Sequence, residues 1–468
     1  MRATRNDPPS PGPYRTSPSV TRHAPKSWRP GRGLILAALV LTALVAPPPA
    51  SATAAASSRT WCADRCDQVV IDWNLAAYEV LKADNGYQNP LAASRVLAMV
   101  HLAMHDAVNA VQPRYQAYVY HPRPGDTKGP SDAAVAAAVA AHDVLAALFP
   151  NQKALLDGAL DGSLVDAGAG EAVEQGKKVG AAAATAMLAR RDADGSQAED
   201  LYQPGAKAGE YRFVPGTNSL ILPHWRSVTP FTMHSPDQFR VPPPPALDST
   251  RYAADFNEVK ATGSKAADAR RSADQTEYAN YWYEFSDIGW NRIAREVSRE
   301  KPQDLWDRAR TFALLNAVIA DGYIAGWDSK LHYNLWRPVT AIQLAAEDGN
   351  PATSADGAWS SLLPTPPVQD YPSTHSSLGA AAAAVLAYAF GSDKVAFTMA
   401  SPSALATAPA RSFKSFSEAA RENADSRVRA GIHFRFATKA GLEQGEQIAQ
   451  QAIHDLLTPL PNGARASR

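Results

Sequence analysis

Apolar residues recur at three- and four-residue steps along most of the chain, and this spacing limits the possible folds more than any other feature. It is clearest at 91–111, LAASRVLAMVHLAMHDAVNAV, where an apolar side chain falls on the same face at each turn. Further segments of this kind lie at 131–149, 170–191, 272–299, 303–325, 376–390, 417–429 and 438–457. The alternation typical of half-buried strands is nearly absent. We therefore predict an all-α fold, a helical bundle with proline-rich connections.

Prolines and a change in composition divide the predicted helices into two groups. We expect Ser131 to cap the second helix, because its hydroxyl can accept a hydrogen bond from the first turn. Residues 201–248 hold glycine, proline and aromatic residues without a period, and 242–245 are four consecutive prolines. Proline lacks the amide donor of a helix, so no helix continues here. We predict an N-terminal helical part at 53–240 and a C-terminal helical part at 250–460.

Charge and cysteine content exclude several classes of protein. The 468 residues include 46 Lys and Arg and 46 Asp and Glu, so no net positive field favours nucleic acid, and we expect no such partner. Hydrophobic residues make up 45% of the chain, a share typical of folded proteins. Two cysteines are too few for a four-cysteine zinc site or an iron–sulfur cluster.

The N-terminal residues resemble an export signal in their layout. Basic residues precede the apolar run at 34–46, and Ala50-Ser51-Ala52 follows it as a small-x-small cleavage site. The run is too short to span a bilayer, so we predict a cleaved signal peptide at 1–52, a secreted protein, and a mature chain without a membrane span. An uncleaved anchor is the alternative. In an oxidising compartment Cys62 and Cys66 could pair, with free thiols as the alternative.

Two histidines in the first long apolar segment are candidate metal ligands. His101 and His105 are four residues apart, a spacing that places both on one helix face and can hold zinc. No third ligand lies nearby in the sequence, and the segment is otherwise apolar. Buried, hydrogen-bonded histidines are therefore the preferred interpretation. The sequence also lacks the serine-hydrolase elbow, the P-loop, the HExxH zinc motif and a dinucleotide-binding fingerprint.

Two basic residues in the C-terminal half suit an anion with several oxygens. Lys330 and Arg337 lie in KLHYNLWRP, seven residues apart, so a single helix would place them on one face. Arg337 can donate a fork of hydrogen bonds, while Lys330 acts as a point charge. Such a pair taken alone is also common on a solvated surface.

A second segment, YPSTH, opens an alanine-rich helical pattern. The free N–H groups at a helix N-terminus attract anions, and Ser373 adds a hydroxyl donor there. His375 is placed where it could act as a general acid or base on the same anion. Taken alone, a Pro-Ser pair is usually only a helix cap.

The third segment, SRVRAGIH, supplies Arg427 and His433. Six residues separate them, so one continuous helix would point them about 120° apart. Gly431 indicates a bend that could bring both to one point. Together the three segments provide three cations, a hydroxyl, a helix N-terminus and two histidines. This set fits a tetrahedral or trigonal-bipyramidal oxyanion and places its site within 250–460.

The order K-x6-R-P, P-S-x-H and S-R-x5-H resembles the signature of vanadium-dependent haloperoxidases and of the type 2 phosphatidic-acid phosphatase superfamily. The surrounding residues 97–110, 312–330 and 334–342 are also similar to bacterial haloperoxidase-like secreted proteins. The resemblance covers most of 70–455 and is thin at 201–248. It implies the helical bundle of the vanadium haloperoxidase and acid phosphatase type.

The resemblance also implies roles for individual residues. His433 would be the apical ligand of vanadium, or the nucleophile that becomes phosphohistidine, and His375 would be the acid–base residue. The residues that would bind the oxygens of vanadate, or of phosphate in its place, are Lys330, Arg337, Ser373, Thr374 and Arg427.

The activity implied first is that of a secreted vanadium-dependent haloperoxidase, which oxidises halide with hydrogen peroxide and acts on a small organic acceptor. A secreted acid phosphatase and a non-catalytic oxyanion-binding relative are the alternatives. Thr374 stands where the family usually has glycine, so a positive φ there would be costly. Ala437 replaces the aspartate that orients the histidine in phosphatases, which weakens the phosphatase interpretation. Val368 matches neither known halide-pocket residue, so the halide is left open, and the sequence does not indicate an oligomeric state.

Overall fold

The computed structural model describes residues 68–461, apart from 86, 124–128 and 166. The predicted signal peptide at 1–52, Cys62 and Cys66 lie outside the described residues. Within them the chain forms thirteen α-helices and one two-stranded sheet, so the predicted all-α class is confirmed.

The helices are α1 (Val69–Asn85), α2 (Pro90–Val111), α3 (Ala133–Leu148), α4 (Lys153–Val165), α5 (Glu171–Arg191), α6 (Thr250–Thr262), α7 (Ala273–Tyr281), α8 (Ser286–Glu300), α9 (Leu305–Tyr333), α10 (Pro338–Gln343), α11 (Thr374–Ala389), α12 (Phe416–Arg429) and α13 (Arg435–Asp455). Short 3-10 turns lie at Pro150–Gln152, Pro223–Ser227 and Ala345–Glu347. The strands are β1 (Phe397–Ala400) and β2 (Ala410–Phe413), paired antiparallel with Phe397 opposite Phe413.

Local chemistry at the helix ends corrects two details of the prediction. The cap of α3 is Asp132 and not Ser131, because the Asp132 carboxylate accepts hydrogen bonds from the amides of Ala134 and Val135. The segment predicted as one helix at 272–299 is two helices, α7 and α8. They are separated by a turn that begins at Trp282, where the cap amide bonds back to α7.

Helix α2 lies in the core and confirms the interpretation of its two histidines. His101 Nε2 lies 2.8 Å from Asn74 Nδ2, and His105 Nε2 lies 3.2 Å from the Gln116 carbonyl. Burial lowers the pKa of His101 to about 3 and that of His105 to about 4, so both are neutral at pH 7. Among the described helices α2 alone is long and apolar enough to span a membrane, but 94% of its most apolar window is buried in protein.

Glycines let α13 pack closely on α11, and this contact positions the start of α11. A Cβ atom on Gly441 would lie 2.3 Å from the carbonyl oxygen of Ser373. One on Gly445 would lie 2.0 Å from the carbonyl oxygen of Ser377, one turn later. Only a residue without a side chain allows this approach, so the two glycines fix where the first turn of α11 lies.

Candidate oxyanion site

The first pair of basic residues converges by a route that differs from the prediction. Helix α9 ends at Tyr333, because Asn334 adopts the left-handed conformation with φ 50°. Arg337 lies beyond that end, as the residue before α10. Lys330 and Arg337 therefore do not share one helix, and the prediction of a common helix face is wrong. Both side chains are nevertheless buried at 1% exposure and approach the same loop, at 368–372.

Ser373 precedes the first residue of α11, as the Pro-Ser segment predicts. Its hydroxyl accepts a hydrogen bond from Ser376 at 3.0 Å. Thr374 does not have a positive φ, so its Cβ atom brings no backbone strain. Its side chain packs against Gly326 of α9, and its buried Oγ1 has no hydrogen-bond partner among the described residues.

Gly431 makes the bend that the sequence predicts between Arg427 and His433. Its φ of 78° lies in the left-handed region, just after α12 ends. The turn brings the His433 ring against the first basic pair. Arg337 Nη1 lies 2.9 Å from His433 Nε2 and 3.3 Å from Nδ1.

Backbone carbonyl groups hold two of the three cations. Lys330 Nζ donates to the carbonyl oxygens of Gln369 at 2.7 Å, Asp370 at 3.1 Å and Pro372 at 2.6 Å. Arg337 donates from Nε to the Val368 carbonyl and from Nη1 to another carbonyl, that of Ile432. These bonds orient the cations without cancelling their charge, since a carbonyl group carries only a dipole.

Arg427 and His375 line a cavity of about 390 Å³ whose remaining walls are mostly apolar. Arg427 Nη1 lies 3.5 Å from the carbonyl oxygen of Trp282, and its buried Nε has no acceptor in the described part of the chain. His375 Nε2 lies 2.8 Å from the carbonyl oxygen of Glu284. The apolar lining includes Tyr87, Tyr283, Phe285, Ile288, Pro366 and Pro402.

The pKa shifts show how closely these charged groups are gathered. Burial, then Arg337 and Arg427, lowers the pKa of Lys330 well below its usual range. Burial lowers the pKa of Arg427 to about 9. The pKa values of His375 and His433 also fall well below 6.5, first through burial and then through the nearby cations. A bound anion would relieve this mutual repulsion.

One residue at the site was missed by the sequence reasoning. Asp370, fully buried, lies with Oδ1 2.9 Å from His433 Nδ1 and 3.8 Å from Arg337 Nη1. Burial raises its pKa to about 7, although Arg337 and Lys330 act in the opposite direction. The only signal in the sequence was an acidic residue three positions before Ser373.

The residues present fit a tetrahedral oxyanion better than a metal cation. Three cations are buried together, and within the described residues Asp370 is the one carboxylate within ion-pair distance of any of them. Unpartnered donors on Arg427 and Thr374 add to this positive site. Across the described chain, no group of three or more His, Cys, Asp or Glu side chains could hold a metal ion directly.

Fold and site together define a helical protein with a buried cluster of cationic side chains. Two family models match the chain: the vanadium chloroperoxidase N-terminal domain at residues 67–237 and the second helical-bundle domain of the same family at 310–460. Together they cover more than half of the sequence. The chain therefore belongs to the vanadium haloperoxidase superfamily, as the motifs predict.

Individual relatives agree with this assignment. The vanadium chloroperoxidase of Curvularia inaequalis is 25% identical over an alignment 394 positions long, which covers 67% of this chain and 64% of that protein. A bacterial vanadium-dependent iodoperoxidase structure has a TM-score of 0.73 at 25% identity and covers 85% of this chain and 98% of its own. A holo bacterial vanadium-dependent chloroperoxidase has a TM-score of 0.63 at 19% identity, covers 78% of this chain and 92% of its own, and shows the shared fold.

Proposed function

We propose that this protein is a vanadium-dependent haloperoxidase that uses hydrogen peroxide to oxidise halide. The observation that carries the proposal is the cluster of three buried cations around His433, with one carboxylate beside them in the described structure. Buried charges of one sign are costly without a counterion, so the cluster favours a multivalent anion. Membership of the haloperoxidase superfamily makes vanadate the preferred anion.

The side chains that would hold vanadate have distinct tasks. Lys330 would act mainly through its charge, because its three hydrogen bonds are donated to backbone carbonyl groups. Arg427 has an unpartnered Nε among the described residues and would donate directly. When bound, vanadate would supply a Lewis-acidic centre that activates peroxide towards halide without changing its oxidation state. The remaining contacts would come from Arg337, Ser373, the amide of Thr374 and, as the ligand of vanadium, His433.

His375 is suited to move a proton. A carbonyl oxygen can only accept, so the 2.8 Å contact with Glu284 places the proton of His375 on Nε2 and leaves Nδ1 as the free base. Burial and Arg427 lower its pKa well below 6.5, so the neutral ring prevails at neutral pH. In this state His375 would accept the proton that hydrogen peroxide must release.

A second candidate function, phosphatase activity through a phosphohistidine, draws support from one contact. Asp370 lies beside His433 Nδ1, and a carboxylate there makes Nε2 a better nucleophile. Asp370 would then orient the histidine, the task for which related phosphatases use an aspartate at the position of Ala437. Vanadate would then inhibit the enzyme instead of activating it.

The test separates the two activities in one preparation. Protein incubated with orthovanadate and freed of excess is assayed for peroxide-dependent halogenation of a cyclic dione with bromide, chloride and iodide, and untreated protein for hydrolysis of an aryl phosphate. We expect vanadate-dependent halogenation that is lost in His433→Ala and kept in the matched control His332→Ala, an exposed histidine of α9. Phosphate release blocked by vanadate would assign the phosphatase, and inactivity in both assays would favour a binding role.

We also propose that the protein is exported and cleaved after residue 52, with a small organic molecule as the halogen acceptor. The support for export is the order of basic residues, an apolar run and Ala50-Ser51-Ala52. N-terminal sequencing of the protein recovered from the culture medium tests it, and an intact N-terminus would contradict it.

A further inference from the structure

The strongest unexplained contact at the site joins a buried carboxylate to the histidine that would bind vanadium. We propose that Asp370 is the positioning residue of His433, which holds the ring with Nε2 directed to the oxyanion. This inference rests on the proposed use of His433 as ligand or nucleophile. It adds a residue from outside the three motifs to the site.

The contacts of the two ring nitrogens support one tautomer. The guanidinium of Arg337 can only donate, and its Nη1 lies closer to His433 Nε2, at 2.9 Å, than to Nδ1, at 3.3 Å. Because Nη1 is within hydrogen-bond distance of both nitrogens, this contact alone does not select a tautomer. Asp370 Oδ1 lies 2.9 Å from Nδ1, and neither oxygen of Asp370 makes a hydrogen bond of regular geometry among the described residues. A proton on Nδ1 is the tautomer that would give this buried carboxylate a partner. A metal-binding histidine commonly has a carboxylate at this second nitrogen.

The loop that carries Asp370 is held from both sides. The amide of Asp370 donates to the Leu335 carbonyl at 3.0 Å, and Lys330 binds the carbonyl groups of Gln369, Asp370 and Pro372. The carboxylate is thus presented by a fixed backbone, which a positioning residue needs. Lys330 gains a second task, since the same bonds keep Asp370 against His433.

In this chain Asp370 would do what an aspartate at a different sequence position does in related phosphatases. The related phosphatases often have an aspartate four residues after the last histidine, and here that residue is Ala437. Ala437 is fully buried at the start of α13, and its carbonyl accepts the amide of Ser373. A carboxylate from the loop before α11 can therefore reach Nδ1 while position 437 stays part of the core.

Whether vanadate affinity falls or rises when the Asp370 side chain is removed distinguishes a positioning role from a purely electrostatic one. A negative side chain near an anion site repels the anion, so removing it would strengthen binding if charge were its only effect. Positioning predicts the opposite, because a ring free to rotate or change tautomer presents Nε2 less often. Asn at this position keeps an acceptor for the Nδ1 proton but lacks the charge, and Ala lacks both.

The experiment measures vanadate and phosphate binding by calorimetry in wild type, Asp370→Asn and Asp370→Ala. Nitrogen-15 NMR reads the tautomer of His433 in the unligated proteins. We expect vanadate affinity to fall about 10- to 100-fold in Asp370→Ala and to recover largely in Asp370→Asn. We expect Nδ1 to be protonated in wild type and in Asp370→Asn. The matched control is Asp321→Asn in α9, a buried carboxylate that binds the amides of Phe231, Thr232 and Met233 away from the cavity.

The outcomes are distinct. Tighter or unchanged vanadate binding in Asp370→Ala would overturn the inference, as would a wild-type His433 protonated on Nε2. Equal losses in Asp370→Ala and Asp321→Asn would show a general loosening of the core and also refute it. If Asp370→Ala does not fold, the wild-type tautomer still decides. Wild-type protein that binds vanadate but oxidises no halide would refute the proposed function alone.

Discussion

The close contact between α13 and α11 allows a quantitative test of how the site is positioned. In Gly441→Ala the new Cβ atom would lie 2.3 Å from the Ser373 carbonyl oxygen and 2.9 Å from Ser376 Cβ. Since such atoms are practically never closer than 3.0 Å, α11 or α13 must move by about 0.7 Å, and backbone atoms yield less easily than side chains. Overpacking of this kind costs about 1–3 kcal/mol, against a gain of about 0.5–1 kcal/mol for replacing glycine in a helix.

We therefore expect Gly441→Ala to lower the free energy of unfolding by about 1 kcal/mol, measured by urea denaturation. The matched control is Gly158→Ala in α4, where no described atom lies within 4 Å of the added Cβ, so a gain of about 0.5–1 kcal/mol is expected. Gly441→Ala should also weaken oxyanion binding, because it displaces Ser373. Gly445→Ala meets the backbone one turn later and should destabilise with a smaller effect on binding. A Gly441→Ala protein as stable as wild type would refute this account.

Two further predictions concern ionisable groups. His101 is neutral in the folded state because its pKa there is about 3. As the pH falls below 6.5, the unfolded chain binds a proton at this residue and the folded chain does not, so folding becomes less favourable. Between pH 7 and pH 5 the free energy of unfolding of wild type should fall by about 2 kcal/mol because of this group, and that of His101→Gln should fall by less. Urea denaturation at the two pH values measures both, and equal losses would contradict the argument. Burial is the larger cause of the low pKa of His375 and the Arg427 charge is the next, so in Arg427→Met this pKa should rise in an NMR titration but stay below 6.5; an unchanged pKa would contradict this.

The sequence predicted the long helices well because their burial is periodic. The apolar segment at 91–111 is α2 within one residue, and Gly431 marks the bend between Arg427 and His433. Helices α1, α4, α6 and α10 were not predicted. Polar residues dominate α6, where only Tyr252, Ala253, Phe256 and Val259 are buried. The strands β1 and β2 were missed because each has four residues, too few to show alternation.

At the site, sequence spacing predicted which residues come together but not how they do so. Lys330 and Arg337 were predicted to share a helix, because the local sequence pattern does not indicate that Asn334 adopts the left-handed conformation and ends α9. Asp370 went unnoticed because its partner His433 lies 63 residues further along the chain, and pairing at that distance follows from tertiary packing alone.

The partners of the buried cations at this site can be compared with those of buried arginines elsewhere in the protein. Arg191 is as buried as the site residues and pairs with Asp194 at 2.7 Å, whereas the buried Arg310 donates to the Leu457 carbonyl at 2.7 Å. At the site, Lys330 is held by carbonyl groups, and no carboxylate of the described residues pairs with Arg427. The fold therefore holds buried arginines in both ways, and at this site it uses the arrangement without a carboxylate for Lys330 and Arg427. Carbonyl groups instead fix the position of the charge and leave it available, which is the arrangement that binding an external oxyanion requires.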